Sequence, residues 1–179
     1  MDLNGALVRL RAPRPGDAEA LHELGRDPEV ARFAGSPSLL PETLGQVRDL
    51  LAARSPDRVR WVIEATADGA VLGSASLNRI DLVNRHCWFG IVIGPPARWG
   101  RGCGTEATIL ATRFALRRLG LEKVYLGVFE GNERGFRAYQ KAGYRLEATL
   151  ARHHLLEGRL VAGRWMAAYR DDPLYAGSP

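Results

Sequence analysis

The stretch "RWGRGCGTEA", Arg98 to Ala107, sets three glycines and two arginines directly before an apolar, helix-like run. The first four N–H groups of a helix lack internal partners and carry partial positive charge. Glycine lets an anion approach them with no Cβ in the way. The stretch therefore reads as a cradle for a phosphate-like anion at the start of a helix over residues 105–119. The plainer alternative is a glycine-rich turn capped by Thr105.

Two familiar cradles compete. A P-loop needs Gly-Lys-Ser/Thr, and no lysine is present here. The dinucleotide fingerprint G-x-G-x-x-A is met by Gly102, Gly104 and Ala107, with Glu130 after the next strand. That fingerprint should follow its strand at once, yet Gly94 to Arg101 intervene. Too little chain follows Glu130 for the remaining half of a doubly wound sheet.

Working outward, "HCWFGIVI" (His86–Ile93) precedes the cradle and reads as a central strand, stopped by Gly94-Pro95-Pro96. "RWVIEA" and "AVLGSASL" flank Asp68-Gly69, a hairpin signal of the type I′ kind. "ALVRLRA" (6–12), "KVYLGVF" (123–129), "YRLEATL" and "LVAGRWMAAY" read as further strands, the last two joined across Glu157-Gly158. Helices are expected at "AEALHELGRD" behind Asp17, at "DPEVARFAG" behind Asp27, and at "PETLGQVRDLLAARS". A further one is expected at "NERGFRAYQKAG". The central helix carries Ala107, Leu110, Ala111 and Phe114 toward a core, with Gly120 as its cap. The order β, helices, β-β-β, α, β, α, β-β describes a mixed α/β chain with one parallel step across the central helix.

The 179 residues suffice for one domain with a real core. Net charge is +5, carried almost wholly by arginine, lysine occurring only at positions 123 and 141. No basic run with interleaved aromatics marks a nucleic-acid face. Cys87 and Cys103 form no CxxC pair, so a zinc site is not expected. His153-His154 would point to opposite faces of a strand and so not chelate one ion. The first ten residues lack signal-peptide character, and no apolar run reaches membrane-spanning length, so a cytoplasmic protein is expected.

Trp99-Gly100-Arg101-Gly102-Cys103-Gly104 resembles motif A of the GNAT superfamily of acyl-CoA-dependent acetyltransferases, Gln/Arg-x-x-Gly-x-Gly/Ala, with Trp99 replacing the leading residue. Trp-Gly-Arg-Gly followed by Thr-Glu-Ala resembles the subgroup that acetylates ribosomal-protein N-termini (RimJ/RimL-type), and its relatives acting on polyamines and antibiotics. "LVRLRAPRPGDAEAL", "DPEVARF", "NERGFRAYQKAGYR" and "LEGRLVAGRWMAAY" fall in that family's order and spacing. The resemblance implies a GNAT fold. Its central sheet would be mostly antiparallel, six- or seven-stranded, flanked by four or five helices. It implies one domain over residues 1–170, with 171–179 as a loose tail.

It also implies acetyl transfer from acetyl-CoA to a primary amine, without a metal, nucleic-acid or membrane partner, and is compatible with a homodimer. By resemblance, the backbone of Ile91, Val92 and Ile93 pairs with the pantetheine amides. The amides of Arg101, Gly102, Cys103, Gly104 and Thr105 hold the pyrophosphate, and Asn132 bonds near the pantetheine arm. Tyr139, two helical turns beyond Asn132, is the candidate general acid for the departing sulfur; otherwise it is a core aromatic. Many relatives place a glutamate where this chain has Trp88, so no general base is assigned. His86, Asp81 and Glu130 are substitutes only by nearness in sequence. A site without a strong base suits an N-terminal α-amine, whose pKa is about 8, better than a lysine-like amine near about 10.4. A non-catalytic acyl-CoA-binding module and a polyamine acetyltransferase are the alternatives.

Overall fold

The computed structural model describes residues 2–34 and 43–176. The elements run β1 (Leu3–Asn4), β2 (Val8–Arg11), α1 (Asp17–Arg26), α2 (Pro28–Phe33), α3 (Leu44–Ala52), β3 (Val59–Ala65), β4 (Val71–Asp81) and β5 (His86–Ile93). Then come α4 (Cys103–Arg113), β6 (Lys123–Phe129), α5 (Glu133–Lys141), β7 (Arg145–Leu156) and β8 (Arg159–Tyr169). The strands form one sheet in the order β1-β2-β3-β4-β5-β6-β8-β7. Among the described residues only β5 and β6 are parallel, joined across α4 as the sequence order requires.

The sheet has eight strands rather than the six or seven expected. The additional one is β1, whose two residues pair with Leu10 and Arg9 and are too few to show alternation. Alternation elsewhere sorts the two faces. Cys87, Phe89, Ile91 and Ile93 of β5 point toward α4 and join the core cluster with Leu10, Ile63, Leu77, Leu126 and Met166. The opposite face carries α1 against β4 and α2 against β5. A Cβ at Gly94 on that side would lie 2.9 Å from Val30 and 3.1 Å from Leu24.

Several local expectations change. Asp17 does not cap α1. It is buried, bonded to Arg11 at 2.7 and 2.8 Å and to the Arg14 N–H at 2.6 Å, and Gly16 takes the cap position. Asp27 does cap α2, with Pro28 in its first turn. Thr43 and Gln46 form a capping box on α3; Pro41 and Glu42 lie outside the described residues. At Asp68-Gly69 only Gly69 has positive φ (71°), so the β3–β4 connection is a wider loop than type I′. The two positive φ values of that turn occur instead at Glu157 and Gly158.

The segment after Tyr169 is not loose as far as Ala176. Asp172 and Tyr175 are buried, the Tyr175 hydroxyl donates to Ala142 O at 2.5 Å, and Arg117 donates to Tyr175 O. In sequence this run, "DDPLYAGSP", has no periodicity; a single aromatic inserted into the core holds it.

Candidate active site

The parallel β5–β6 pairing lasts only three residues: His86–Lys123, Cys87–Val124 and Trp88–Tyr125. Beyond Trp88 the strands part, and the second half of β5 is paired to β4 alone. A cavity of about 640 Å³ opens at this parting. It brings together Ile91, Val92 and Ile93, the run Arg98 to Glu106, Asn132 and Tyr139. Every residue expected to hold acetyl-CoA or act as the acid therefore borders one space.

The glycine-rich run leads directly into a helix, as the sequence suggested. Gly102 is the N-cap of α4 with φ +88°, a conformation that excludes most side chains, and Gly100 has φ +77°. No side chain caps the helix, so its first N–H groups face the cavity. Gly104 sits in the first turn; a Cβ there would meet only Ile93, at 3.8 Å. The helix begins at Cys103, two residues before the expected Thr105. Trp99, at the motif's altered position, donates its indole N–H to Ile93 O at 2.8 Å.

Asn132 is the N-cap of α5. Its Oδ1 accepts from the Gly135 N–H at 3.0 Å, which leaves the amide nitrogen as the free donor beside the cavity. Tyr139 lines the cavity, and burial pushes its phenol up to about 12. Among the described residues no protein group hydrogen-bonds its hydroxyl. It can therefore donate a proton into the cavity and remains protonated across the physiological range.

Cations dominate the lining: Arg98, Arg101, Arg134, Arg137 and Lys141. The lone carboxylate among the described lining residues, Glu106, is spent on the backbone N–H groups of Ala6, Leu7 and Val8, at 2.9, 2.7 and 2.8 Å. Arg134 was not foreseen. Its guanidinium lies 3.3 Å over the Trp99 ring centroid and 5.0 Å over Phe33, and burial lowers its pKa from the usual value. A signal existed: Arg134, Arg137, Ala138 and Lys141 recur at i, i+3, i+4 and i+7, one face of α5.

Four other residues weighed in the sequence lie outside the cavity lining. Trp88 packs edge-on against Tyr125 and Trp165, ring centroids 5.3 and 5.5 Å away. His86 lies at the closed, paired end of β5–β6. The Asp81 carboxylate is committed to its own turn, accepting from Val83 N, Asn84 N and Asn84 Nδ2. Glu130 accepts from Ala162 N at 3.3 Å.

A family model for the acetyltransferase (GNAT) domain matches residues 8–145. The chain belongs to that family. It is an acetyl-CoA-dependent N-acetyltransferase of GNAT type. Spermidine N(1)-acetyltransferase of Escherichia coli K12 is 30% identical over 154 residues, covering 85% of this chain and 80% of that protein. Human alpha/beta-tubulin-N-acetyltransferase 9 is 29% identical over 96 residues, 52% of this chain and 46% of that one. The structure of Vibrio cholerae spermidine N-acetyltransferase in complex with CoA and spermine superposes with a TM-score of 0.84. It covers 97% of this chain and 100% of that one at 22% identity, a likeness of fold. Among the described residues no helix is long and apolar enough to cross a membrane, and no three His, Cys, Asp or Glu side chains are grouped to hold a metal.

Proposed function

We propose that the chain acetylates a weakly basic primary amine, a peptide α-amino group or a small molecule bearing one, as the RimJ/RimL-type resemblance implies. The supporting observation is the single cavity that joins the parted edge of β5, the bare N-terminus of α4 and the Tyr139 hydroxyl. In this reading the Arg101–Thr105 amides hold the pyrophosphate, the Ile91–Ile93 edge holds the pantetheine amides, and Asn132 donates beside them. Acetyl-CoA supplies the thioester carbonyl that the amine attacks. Tyr139 gives its proton to the departing sulfur.

Trp88 bears on the acceptor. By the family resemblance it stands where many relatives carry a glutamate, and it packs edge-on against Tyr125 and Trp165. An α-amine with a pKa of about 8 is roughly a tenth neutral at pH 7, whereas an amine near about 10.4 is neutral in well under a thousandth of molecules.

A polyamine acceptor is the second reading, favoured by the spermidine acetyltransferase relatives. Against it stands the lining, which among the described residues has five cationic side chains and one carboxylate already engaged. Rates at pH 7 with an α-amine peptide, a lysine-bearing peptide of equal reach, and spermidine decide between them. The first should be fastest, with its advantage over lysine shrinking toward pH 10; preference for spermidine would establish the second reading.

A further inference from the structure

The side of α5 that carries cations is not the side that carries Tyr139. Arg137 and Lys141 each stand two residues from Tyr139, which is about 160° away around a helix that turns about 100° per residue. Tyr139 packs against the core cluster, whereas Arg137 and Lys141 are exposed. Both sides nevertheless border the same cavity. The space therefore runs from the buried side of α5, where Tyr139 lies, out to a cationic rim.

The cations of the lining differ in what already engages them. Arg98 pairs with Asp68 at 2.6 Å. Arg134 lies over the Trp99 and Phe33 rings. Among the described residues, the side chains of Arg101, Arg137 and Lys141 have neither an ion pair nor a hydrogen bond. The acid of α5, Glu133, is turned to Arg164 of β8 at 2.7 Å. Arg137 thus stands three residues after Arg134 and four before Lys141, with no acidic residue between them. Like charges at these spacings destabilise a helix. The macrodipole favours a cation at Lys141, in the last turn, but gives nothing to Arg137 in the middle. An anionic ligand along the rim offsets that repulsion.

Acetyl-CoA has its thioester at one end and its phosphates at the other. The bare N–H groups of α4, with Arg101 beside them, match the pyrophosphate. One further phosphate remains, the 3′-phosphomonoester of the adenosine, with about −1.5 to −2 charge at pH 7. We infer that Arg137 and Lys141 bind this 3′-phosphate and make the enzyme select CoA thioesters over those of dephospho-CoA. This rests on the cofactor placement proposed above and is independent of the acceptor. Arg137 can meet two phosphate oxygens at once, and Lys141, one turn on, adds a point charge to the same group. Binding there neutralises the stripe and leaves the inner side of α5 to hold the thioester against Tyr139.

The test measures binding of CoA and of dephospho-CoA to the full chain by calorimetry. The wild type should bind CoA roughly tenfold more tightly, the size expected of two exposed charge-assisted contacts. That preference should shrink as salt rises, because exposed charges are screened. The double variant Arg137→Ala/Lys141→Ala should lose it: CoA affinity falls to that of dephospho-CoA, whose own affinity stays within error. The ligand-free melting temperature should not fall, since neither side chain has a partner to lose among the described residues. No preference in the wild type, or a preference that survives in the double variant, overturns the assignment. Equal weakening of both ligands also overturns it and places the two cations on the pyrophosphate instead. Acetylation of none of the amines, with the preference for CoA intact, removes the transfer reading and leaves the 3′-phosphate site standing. Failure of both ligands to bind removes both.

Discussion

The Tyr175 hydroxyl donates to the carbonyl of Ala142, the residue that closes α5, at 2.5 Å. A side chain near the end of the described chain thus supports the helix that presents Tyr139 and the cationic stripe to the cavity. Removing that hydroxyl strands a buried carbonyl, which costs about 1–3 kcal/mol. Tyr175→Phe is expected to lower the melting temperature by roughly 2–12 °C, at about 2–4 °C per kcal/mol for a chain of this size. Thermal denaturation followed by circular dichroism measures it.

Gly104→Val probes the cradle. A Cβ at this position meets Ile93 only at ordinary contact distance, so the variant should fold with a near-native melting temperature. The added methyls project into the space bordered by the first N–H groups of α4. CoA affinity measured by calorimetry should fall tenfold or more. Unchanged affinity in the folded variant would exclude an anion at this helix start.

Tyr139→Phe should lower turnover by roughly 10²–10⁴-fold while leaving stability nearly unchanged, because the hydroxyl has no protein partner to lose among the described residues. Its phenol is pushed up to about 12, so the donating form persists well into alkaline solution. Wild-type kcat should then show no loss traceable to this group below pH 11. An alkaline limb near pH 10 that disappears in the variant would contradict that environment.

Acid should weaken the fold through Asp17. Burial by itself raises this carboxyl. Its hydrogen bonds to Arg11, the Arg14 N–H and the charges of both arginines more than offset that, leaving it below its ordinary value. A depressed folded pKa means the contribution is complete above about pH 4, the unfolded value, and is lost as pH falls through the folded one. Arg11 also pairs with Glu64, whose carboxyl is lowered by the same guanidinium. Asp17→Asn should therefore cost about 3 kcal/mol at pH 7, the lower end for breaking a buried pair. It should also flatten the acid side of the stability curve in urea titrations between pH 2 and 7.

What the sequence disclosed follows the reach of local patterns. The central strand His86–Ile93 and β6 at Lys123–Phe129 have the expected bounds, because turn residues and β-branched runs define both. The cavity lining was legible wherever glycine or a helix face marked it: Gly102, Gly104, and Tyr139 two helical turns beyond Asn132. Features that depend on distant partners were not. Asp17 has the form of a helix cap until Arg11 draws it into a buried pair. His153 and His154 were expected on opposite faces, but the β7–β8 register shifts between Leu150 and His154, Arg152 takes φ +52°, and both rings lie beside Gly163; nothing in "ARHHLL" announces the shift. Tyr175 sits in a stretch with no period at all, and its role comes entirely from what it touches.

Trp99 gives the protein an optical reporter of its own. Of the four tryptophans, it alone borders the cavity; Trp61 lies in the core, and Trp88 and Trp165 pack against each other elsewhere. A guanidinium lies against its ring and a carbonyl holds its N–H, so its emission depends on groups that line the cavity. Occupancy should be readable as a change in intrinsic fluorescence, with no label attached, and a Trp99→Phe protein supplies the dark reference.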